Sequence, residues 1–429
     1  MKKKDGYVID TTYPIFFYKE MQPLWLNTVI GFLGFQPPEI NTTFSYLELA
    51  CATGVNLLIC AINHPHGYFV GVDFNQQHIE KAKRSADLLG LKNIEFIHAD
   101  FSKFLASNHR KFDFIVNHGT FSWISACQQQ HILEILAQSL NDLGIFYLHY
   151  MCYPGSGDLL PLQKLLNLVD EHQSITSLES IEVGKQLFHD LSNAGAFVNH
   201  SKIDSILNTL KNSNAYLAHE FLTDHWKPLY SVDVHKMIFD KTGMSYIGSA
   251  HPCENIDSIS IPEKMQPIIR KTQAPALKEY LKDLARDSKQ RVDMFQKKPR
   301  QLESAKHLQM INQFTFKLLP KALDKDIEVF NTPIGKIKAP SKVIGSLLQK
   351  LRQNHMSFNE LLNLPMFHQN PLFLIETLFL MMHEQYLHPV WQSGQLVDTN
   401  QIKSFNAMIK SEGLHLNVVP DCATAIYTN

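Results

Sequence analysis

The stretch Tyr46-Leu47-Glu48-Leu49-Ala50-Cys51-Ala52-Thr53-Gly54-Val55-Asn56, followed by Tyr68-Phe69-Val70-Gly71-Val72-Asp73-Phe74-Asn75, constrains the chain more than any other feature. An apolar run enters a turn of small residues and a helix-length segment follows. A second apolar run then ends in an acid about 25 residues after Glu48, the order in which an α/β sheet holds a nucleoside at its carboxyl edge. Alanines stand at 50 and 52, where a loop cradling a pyrophosphate needs glycines for close backbone approach. The expected ligand is a nucleoside without a phosphate.

From Ser45 to Met151, short β-rich runs alternate with amphipathic segments of helix length, the pattern of a parallel sheet with crossover helices. The expected strands are Ser45–Ala50, Tyr68–Asp73, Ile94–His98, Phe112–Asn117 and Ile145–Met151. Helices are expected at Val55–Asn63, Asn75–Leu89, Phe101–Ser107 and Ala126–Asn141. After Pro154-Gly155-Ser156-Gly157 the strand signal vanishes. Helices over Leu159–Glu171, Ser180–Asn193 and Ile203–Lys211 form an insertion, about 155–215, that would lie as a lid over the carboxyl edge of the sheet. Tyr216–Leu222 and Ser245–Ala250 read as strand-forming or buried segments flanking a helix at Val232–Lys241. The polar stretch containing Lys289, Arg291, Lys297, Lys298, Pro299 and Arg300 reads as a helical connection. Beyond it, strands at Phe314–Leu319, Ile327–Asn331 and Gly335–Lys338 precede helices at Lys342–Asn354, Ser357–Leu362 and Leu372–His383. The expected fold is thus α/β, a Rossmann-like sheet with a helical insertion over 1–255 and a helical connecting region over 256–310. A smaller C-terminal α+β domain of winged-helix character would occupy 311–429.

Composition narrows the partners. The 429 residues suffice for two or three domains, and 40 Lys plus Arg nearly cancel 41 Asp plus Glu. No large basic field is present to collect nucleic acid or anionic lipid. The six cysteines are scattered without a CxxC pair and the 21 histidines form no HExxH, so neither a zinc cluster nor a disulfide scaffold is expected. No apolar run is long enough to cross a membrane and no secretory leader opens the chain, which suggests a cytoplasmic protein without membrane insertion. A homodimer is compatible with the sequence, which carries no signal for or against it.

Three acids end three consecutive expected strands. Glu48 precedes the turn, Gly54 and Asn56 open the first helix, and Asp73 can accept both hydroxyls of a ribose. Asp100 can accept an adenine amino group while Phe74 and Phe101 offer apolar faces to the ring. The fourth strand ends in Asn117-His118-Gly119, with Phe121, Ser122 and Trp123 directly after it. His118 is expected to position cofactor or acceptor. Phe121, Ser122, Trp123, Tyr150 and Tyr153 are expected around the acceptor, and Tyr18 is expected in an N-terminal segment folded over the site. His149 and Cys152 alternate with Tyr150 and are expected on the opposite side of the strand.

Glu48, Gly54, Asp73 and Asp100 are placed as in the class I S-adenosylmethionine-dependent methyltransferases, whose cofactor lacks a pyrophosphate. More specifically, Tyr18–Leu26, Gly71–Asn75, His118–Ile124 and Tyr216–Glu220 resemble bacterial methyltransferases that carry a methyltransferase regulatory domain. The better characterised members of that group are protein-lysine methyltransferases, including rickettsial enzymes acting on an outer-membrane protein. The resemblance spans roughly 7–290. It implies S-adenosylmethionine as cofactor, S-adenosylhomocysteine as product, cofactor contacts from Glu48 through Asn117 and a protein acceptor methylated at lysine. Ala50 and Ala52 depart from the glycines common in the family's loop, which puts the cofactor affinity in question. A small-molecule methyltransferase, with an enclosed acceptor pocket, and a cofactor-binding interaction protein with little turnover are the competing readings.

Overall fold

The computed structural model describes residues 2–368, 370–391 and 397–428. Seven strands form the central sheet: β1 (Ser45–Leu49), β2 (Tyr68–Asp73), β3 (Ile94–His98), β4 (Phe112–Asn117), β5 (Leu140–Met151), β6 (Ser245–Ser249) and β7 (Gln290–Gln296). Their order is β3-β2-β1-β4-β5-β7-β6. The first five are parallel, and β7 runs antiparallel to both β5 and β6. Helices cover both faces, which is why β1, β2 and β4 read as nearly continuous apolar runs. The reversal of strand order between β1 and β4 opens the crevice where α/β sheets bind ligands.

Among the described residues, ten α-helices precede β6: α1 (Pro23–Phe32), α2 (Val55–Asn63), α3 (Gln76–Leu88), α4 (Phe101–Ser107), α5 (Ala126–Ser139), α6 (Leu160–His172), α7 (Ser177–Asn193), α8 (Ile203–Thr209), α9 (Asn214–Phe221) and α10 (Ser231–Thr242). Side chains alternate across the sheet. Tyr46 and Phe114 pack with α1 and α2 in one core, while Leu47, Leu49 and Ile115 pack with α4, α5 and α10 in another. A third core joins the inserted helices α6–α9 to Val8 and Trp123. Helix α1 is predominantly apolar and fully buried, its polar Asn27 and Thr28 donating to the Pro38 and Leu24 carbonyls.

Two expectations about elements fail. Residues 216–222 are not a strand: Ser213 caps α9 by accepting from the Tyr216 N–H, and Leu217 through Phe221 are all buried within the insertion, which hides any one-sided periodicity. The stretch around Arg291 is not a helical connection either. It is β7, inserted between β5 and β6, so a domain division at 255 would cut the sheet.

The C-terminal part is α+β with small sheets. Thr315–Leu318 pairs with Met356–Ser357 and Leu387–Pro389, and two hairpins lie at Val329–Lys338 and Leu416–Tyr427. It shares a core with the sheet: Phe32 of α1 meets Phe314, Phe316, Phe358 and Phe379 with ring centroids 5.3–5.9 Å apart.

Candidate active site

The turn after β1 carries the conformational signature of a glycine loop in a chain that has only one glycine there. Ala50, Ala52 and Gly54 all have left-handed backbones, at φ 62°, 47° and 74°. At Gly54 no substitute fits, because a Cβ would stand 2.4 Å from the Phe96 ring. Gly54 therefore shapes the loop and does not itself line the cavity. The alanines keep the glycine geometry with a methyl group attached.

A cavity opens at the carboxyl edges of β1–β4, covered by the N-terminal segment and lined by Glu48, Ala50, Ala52, Asn56, Asp73, Phe74, Asp100, Phe101 and His118. Asp73 is buried and accepts the Ala52 N–H through Oδ2 (2.9 Å) and the Asn75 N–H through Oδ1 (2.8 Å). Each oxygen retains lone-pair capacity for a further donor. Beside it, Glu48 Oε2 is buried without any hydrogen bond. Burial, reinforced by the Asp73 charge, holds the Glu48 carboxyl well above the usual range. His78 lines the same cavity with both ring nitrogens unbonded, Nδ1 lying 3.5 Å from Asp73 Oδ1.

Asp100 is the N-cap of α4: Oδ1 accepts the Lys103 N–H at 2.8 Å, and Oδ2 lies 3.3 Å from Lys103 Nζ. Its pKa is lowered although burial opposes this, because the Lys103 backbone and ammonium hold the charged form. Asn56 clamps the N-terminal segment, its Oδ1 accepting the Tyr18 N–H at 3.0 Å. Asn117 is buried behind the loop and donates to the Leu49 carbonyl at 2.9 Å.

His118 sits in a stack of rings. The Tyr18 ring lies 3.7 Å from it on one side and His149 lies 4.2 Å away on the other, all nearly parallel. Its Nδ1 is 2.8 Å from the Tyr147 hydroxyl, and burial drives its pKa well down. His149 Nδ1 accepts the Gly119 N–H at 3.1 Å, so that nitrogen carries no proton and Nε2 donates to Gln290. Burial lowers the His149 pKa to about 4, in keeping with this neutral ring.

The expected acceptor wall is rearranged. Trp123 lines the cavity, but among the described residues Phe121, Ser122, Tyr150 and Tyr153 do not. Phe121 packs in the core beneath α5. Ser122 Oγ accepts the Met151 N–H, and Tyr150 donates to Asp293 Oδ2 at 2.7 Å from the other face of β5. Tyr153 stacks on Tyr230, 4.6 Å away. The alternation along β5 is the cause: Tyr147 and His149 share the His118 side, while Tyr150 points away together with Cys152, which packs in the same core as Tyr150 and not, as expected, opposite it. Residues not singled out from the sequence replace them. Tyr7, Tyr13 and Phe16 join Tyr18 and Trp123 in the lining. The aromatic density of Tyr13-Pro14-Ile15-Phe16-Phe17-Tyr18 was the available signal.

These residues fit S-adenosylmethionine. The orphaned Glu48 oxygen and the Asp73 carboxylate suit a ligand with an ammonium group and a ribose diol, and the loop needs no phosphate against Ala50 and Ala52.

Comparison with known proteins agrees. Residues 40–227 match the family described as a methyltransferase domain, and residues 213–297 match the predicted methyltransferase regulatory domain. An uncharacterized protein of Synechocystis sp. is 27% identical over 421 residues, 97% of this chain and 83% of its own length. An uncharacterized protein of Rickettsia prowazekii is 34% identical over 146 residues, 34% of this chain and 26% of its length. Among solved structures, PKMT2 from Rickettsia typhi aligns with a TM-score of 0.71 at 20% identity over 97% of this chain and 86% of that one. Its complex with AdoHcy aligns with the same TM-score and coverage at 19% identity. This likeness extends the shared fold through the C-terminal part. The regulatory match spans α9 to β7 and so supplies two strands of the catalytic sheet. The chain carries an S-adenosylmethionine-dependent methyltransferase domain, and the match to the predicted methyltransferase regulatory domain overlaps its end and continues to residue 297.

Proposed function

We propose that the protein methylates a lysine side-chain nitrogen of a polypeptide acceptor in the cytoplasm. The observation that carries this reading is a second groove sharing Tyr13, Pro14, Ile15, Thr53 and His78 with the cofactor cavity. It extends to Ala215 of the insertion and to Glu412, Gly413 and Leu414 of the C-terminal part. An open groove bounded by three parts of the chain suits a polymer, whereas a small acceptor favours an enclosed pocket. Aromatic side chains at the junction suit a cationic amine, which they attract by their faces and deprive of water.

In this reading Asp73 holds the ribose hydroxyls and Glu48 the amino group of the cofactor. Asp100 faces the adenine amino group, with Phe74 and Phe101 beside the ring. Ala50, Ala52, Gly54, Asn56 and Asn117 give the loop its shape. S-adenosylmethionine, when bound, supplies a methyl group on a cationic sulfur. Tyr18 and His118, locked in their ring stack, position the reacting groups and keep water out. All six cysteines are free thiols, five of them buried, a thiol inventory that suits a reducing compartment.

Incubating the purified protein with radiolabelled S-adenosylmethionine and total bacterial protein tests this, with the label located by mass spectrometry. Label on lysine nitrogen is expected. Label confined to small metabolites would overturn the protein acceptor.

A further inference from the structure

Glu220 is a carboxylate that the fold buries and leaves without a partner. It lies on α9, only 9% exposed, and its side chain has no hydrogen bond or ion pair among the described residues. Burial raises its pKa to about 8, and no cationic side chain offsets that effect. Burial pushes up the hydroxyl pKa values of Tyr7, Tyr13 and Tyr18 from the N-terminal segment and of Tyr216 one turn back on its own helix, and the Glu220 charge adds to each, after that of Asp73 in the case of Tyr7. The first three of these tyrosines line the cofactor cavity. Trp123, which also lines it, donates its indole N–H to the Glu220 carbonyl at 3.2 Å, tying this turn of α9 to the cavity wall.

Asp73 acts on Tyr7, Tyr427 and Glu20 act on Tyr18, His118 stacks on Tyr18, and a further titratable group packed on these rings is His219. It packs against Tyr7 and Tyr13 at 5.5 and 5.2 Å, and its Nε2 lies 3.1 Å from the Thr11 carbonyl. Burial lowers its pKa to about 4, so it is neutral near pH 7 and supplies no positive charge. A buried, unpaired carboxylate costs several kcal/mol and is retained where a cation arrives to use it. Aromatic faces around it add attraction for the same cation.

We propose that Glu220, on the turn of α9 that Trp123 and the packing of His219 on Tyr7 and Tyr13 hold against the cavity wall, seats the ammonium group of the acceptor and takes the proton that must leave it before methyl transfer. The assignment rests on the amine-acceptor reading above. One ammonium N–H bond breaks and a Glu220 O–H bond forms. The freed nitrogen lone pair then forms the N–C bond, while the C–S bond breaks and its electron pair stays on sulfur as a neutral thioether. The methylated nitrogen leaves as a cation, and Glu220 returns its proton to solvent.

Two measurements on the full-length protein test this. The first is an NMR titration of the Glu220 carboxyl with S-adenosylhomocysteine present, with and without n-butylammonium as a stand-in for the lysine side chain. A seated cation lowers the Glu220 pKa by about one unit or more. No displacement at saturating amine overturns the proposal. The second compares wild type and Glu220→Gln on total bacterial protein across pH, with cofactor affinity as the check that the variant is folded. The wild-type kcat/KM rises with pH and levels near the Glu220 pKa. The variant loses about 100-fold at pH 8, as expected for removal of a proton acceptor, and keeps climbing toward the pKa of the free amine. A variant with the wild-type rate and profile overturns the role of Glu220 while leaving the amine acceptor standing. A wild type that labels no amine overturns both readings, and the failure is then visible before any variant is made.

Discussion

Ala50 and Ala52 hold left-handed backbones that an L-residue adopts at a cost of about 1–2 kcal/mol each. Replacing either with glycine removes that strain, partly offset by the greater freedom of glycine in the unfolded chain. We expect Ala50→Gly and Ala52→Gly each to stabilise the fold by about 0.5–1 kcal/mol, seen as a small rise in melting temperature. A fall in melting temperature would mean that the alanine methyl groups make packing contacts worth more than the strain. At Asp73 both carboxylate oxygens already hold loop N–H groups, so Asp73→Asn keeps part of the loop but removes the charge. Loss of a charged acceptor for two ribose hydroxyls weakens S-adenosylhomocysteine binding about 10- to 100-fold. The same change lowers the Glu48 pKa, since the Asp73 charge helps to raise it. Calorimetry reads the affinity, and an unchanged Kd would place the ribose elsewhere. The sequence made this scale legible where the cavity follows strand ends, since Glu48, Asp73 and His118 all line it. It misled at Tyr150, because the start of β5 within 140–151 decides which side chains face His118, and period-2 alternation inverts with every one-residue slip.

Among elements, β7 teaches most. Its charged residues read as a polar helical connection, yet Arg291 is buried and bonds Asp283 at 2.8 Å, Asp293 at 2.9 Å, Glu279 at 3.0 Å and the Tyr246 hydroxyl at 3.0 Å. The guanidinium fork satisfies three carboxylates at once, two from the helix Pro275–Arg286 and one from β7 itself. Composition cannot distinguish such a network from a wet face, since pairing is a tertiary fact. Truncation to Arg291→Ala leaves Asp283 and Asp293 buried without their counter-charge, which costs about 3–5 kcal/mol. Denaturant unfolding would register the loss as a lower midpoint, and a change under about 1 kcal/mol would show that water reaches these carboxylates. Helix α9 failed to read as a helix for a related reason. Enclosed by α6, α7 and the N-terminal residues Tyr7–Val8, it has no polar stripe to mark its period, and only the Ser213 cap signalled its start.

At the scale of the whole molecule, the C-terminal part reaches back to the catalytic site through the cover of the cavity. The Tyr427 hydroxyl, on the final hairpin, accepts the Phe17 N–H at 2.8 Å and lies 3.2 Å from the Phe17 carbonyl. The next residue, Tyr18, is the ring stacked on His118, and its N–H is held by Asn56 from the cofactor loop. The cover is therefore pinned at adjacent residues, by the loop on one side and by the C-terminal hairpin on the other. Tyr427→Phe removes the second pin and leaves the ring packing of Phe17 in place. Each half-exposed hydrogen bond contributes about 0.5–1.5 kcal/mol. A cover held by one pin samples open states more often, and the cofactor must then order it on binding. We expect S-adenosylhomocysteine affinity to fall about 3- to 10-fold in Tyr427→Phe, with faster hydrogen exchange at Phe17 and Tyr18 and little change in exchange along β1 and β4. Unchanged affinity and unchanged exchange at Tyr18 would show that Asn56 alone holds the cover, and that the C-terminal part acts only through the groove at Glu412–Leu414.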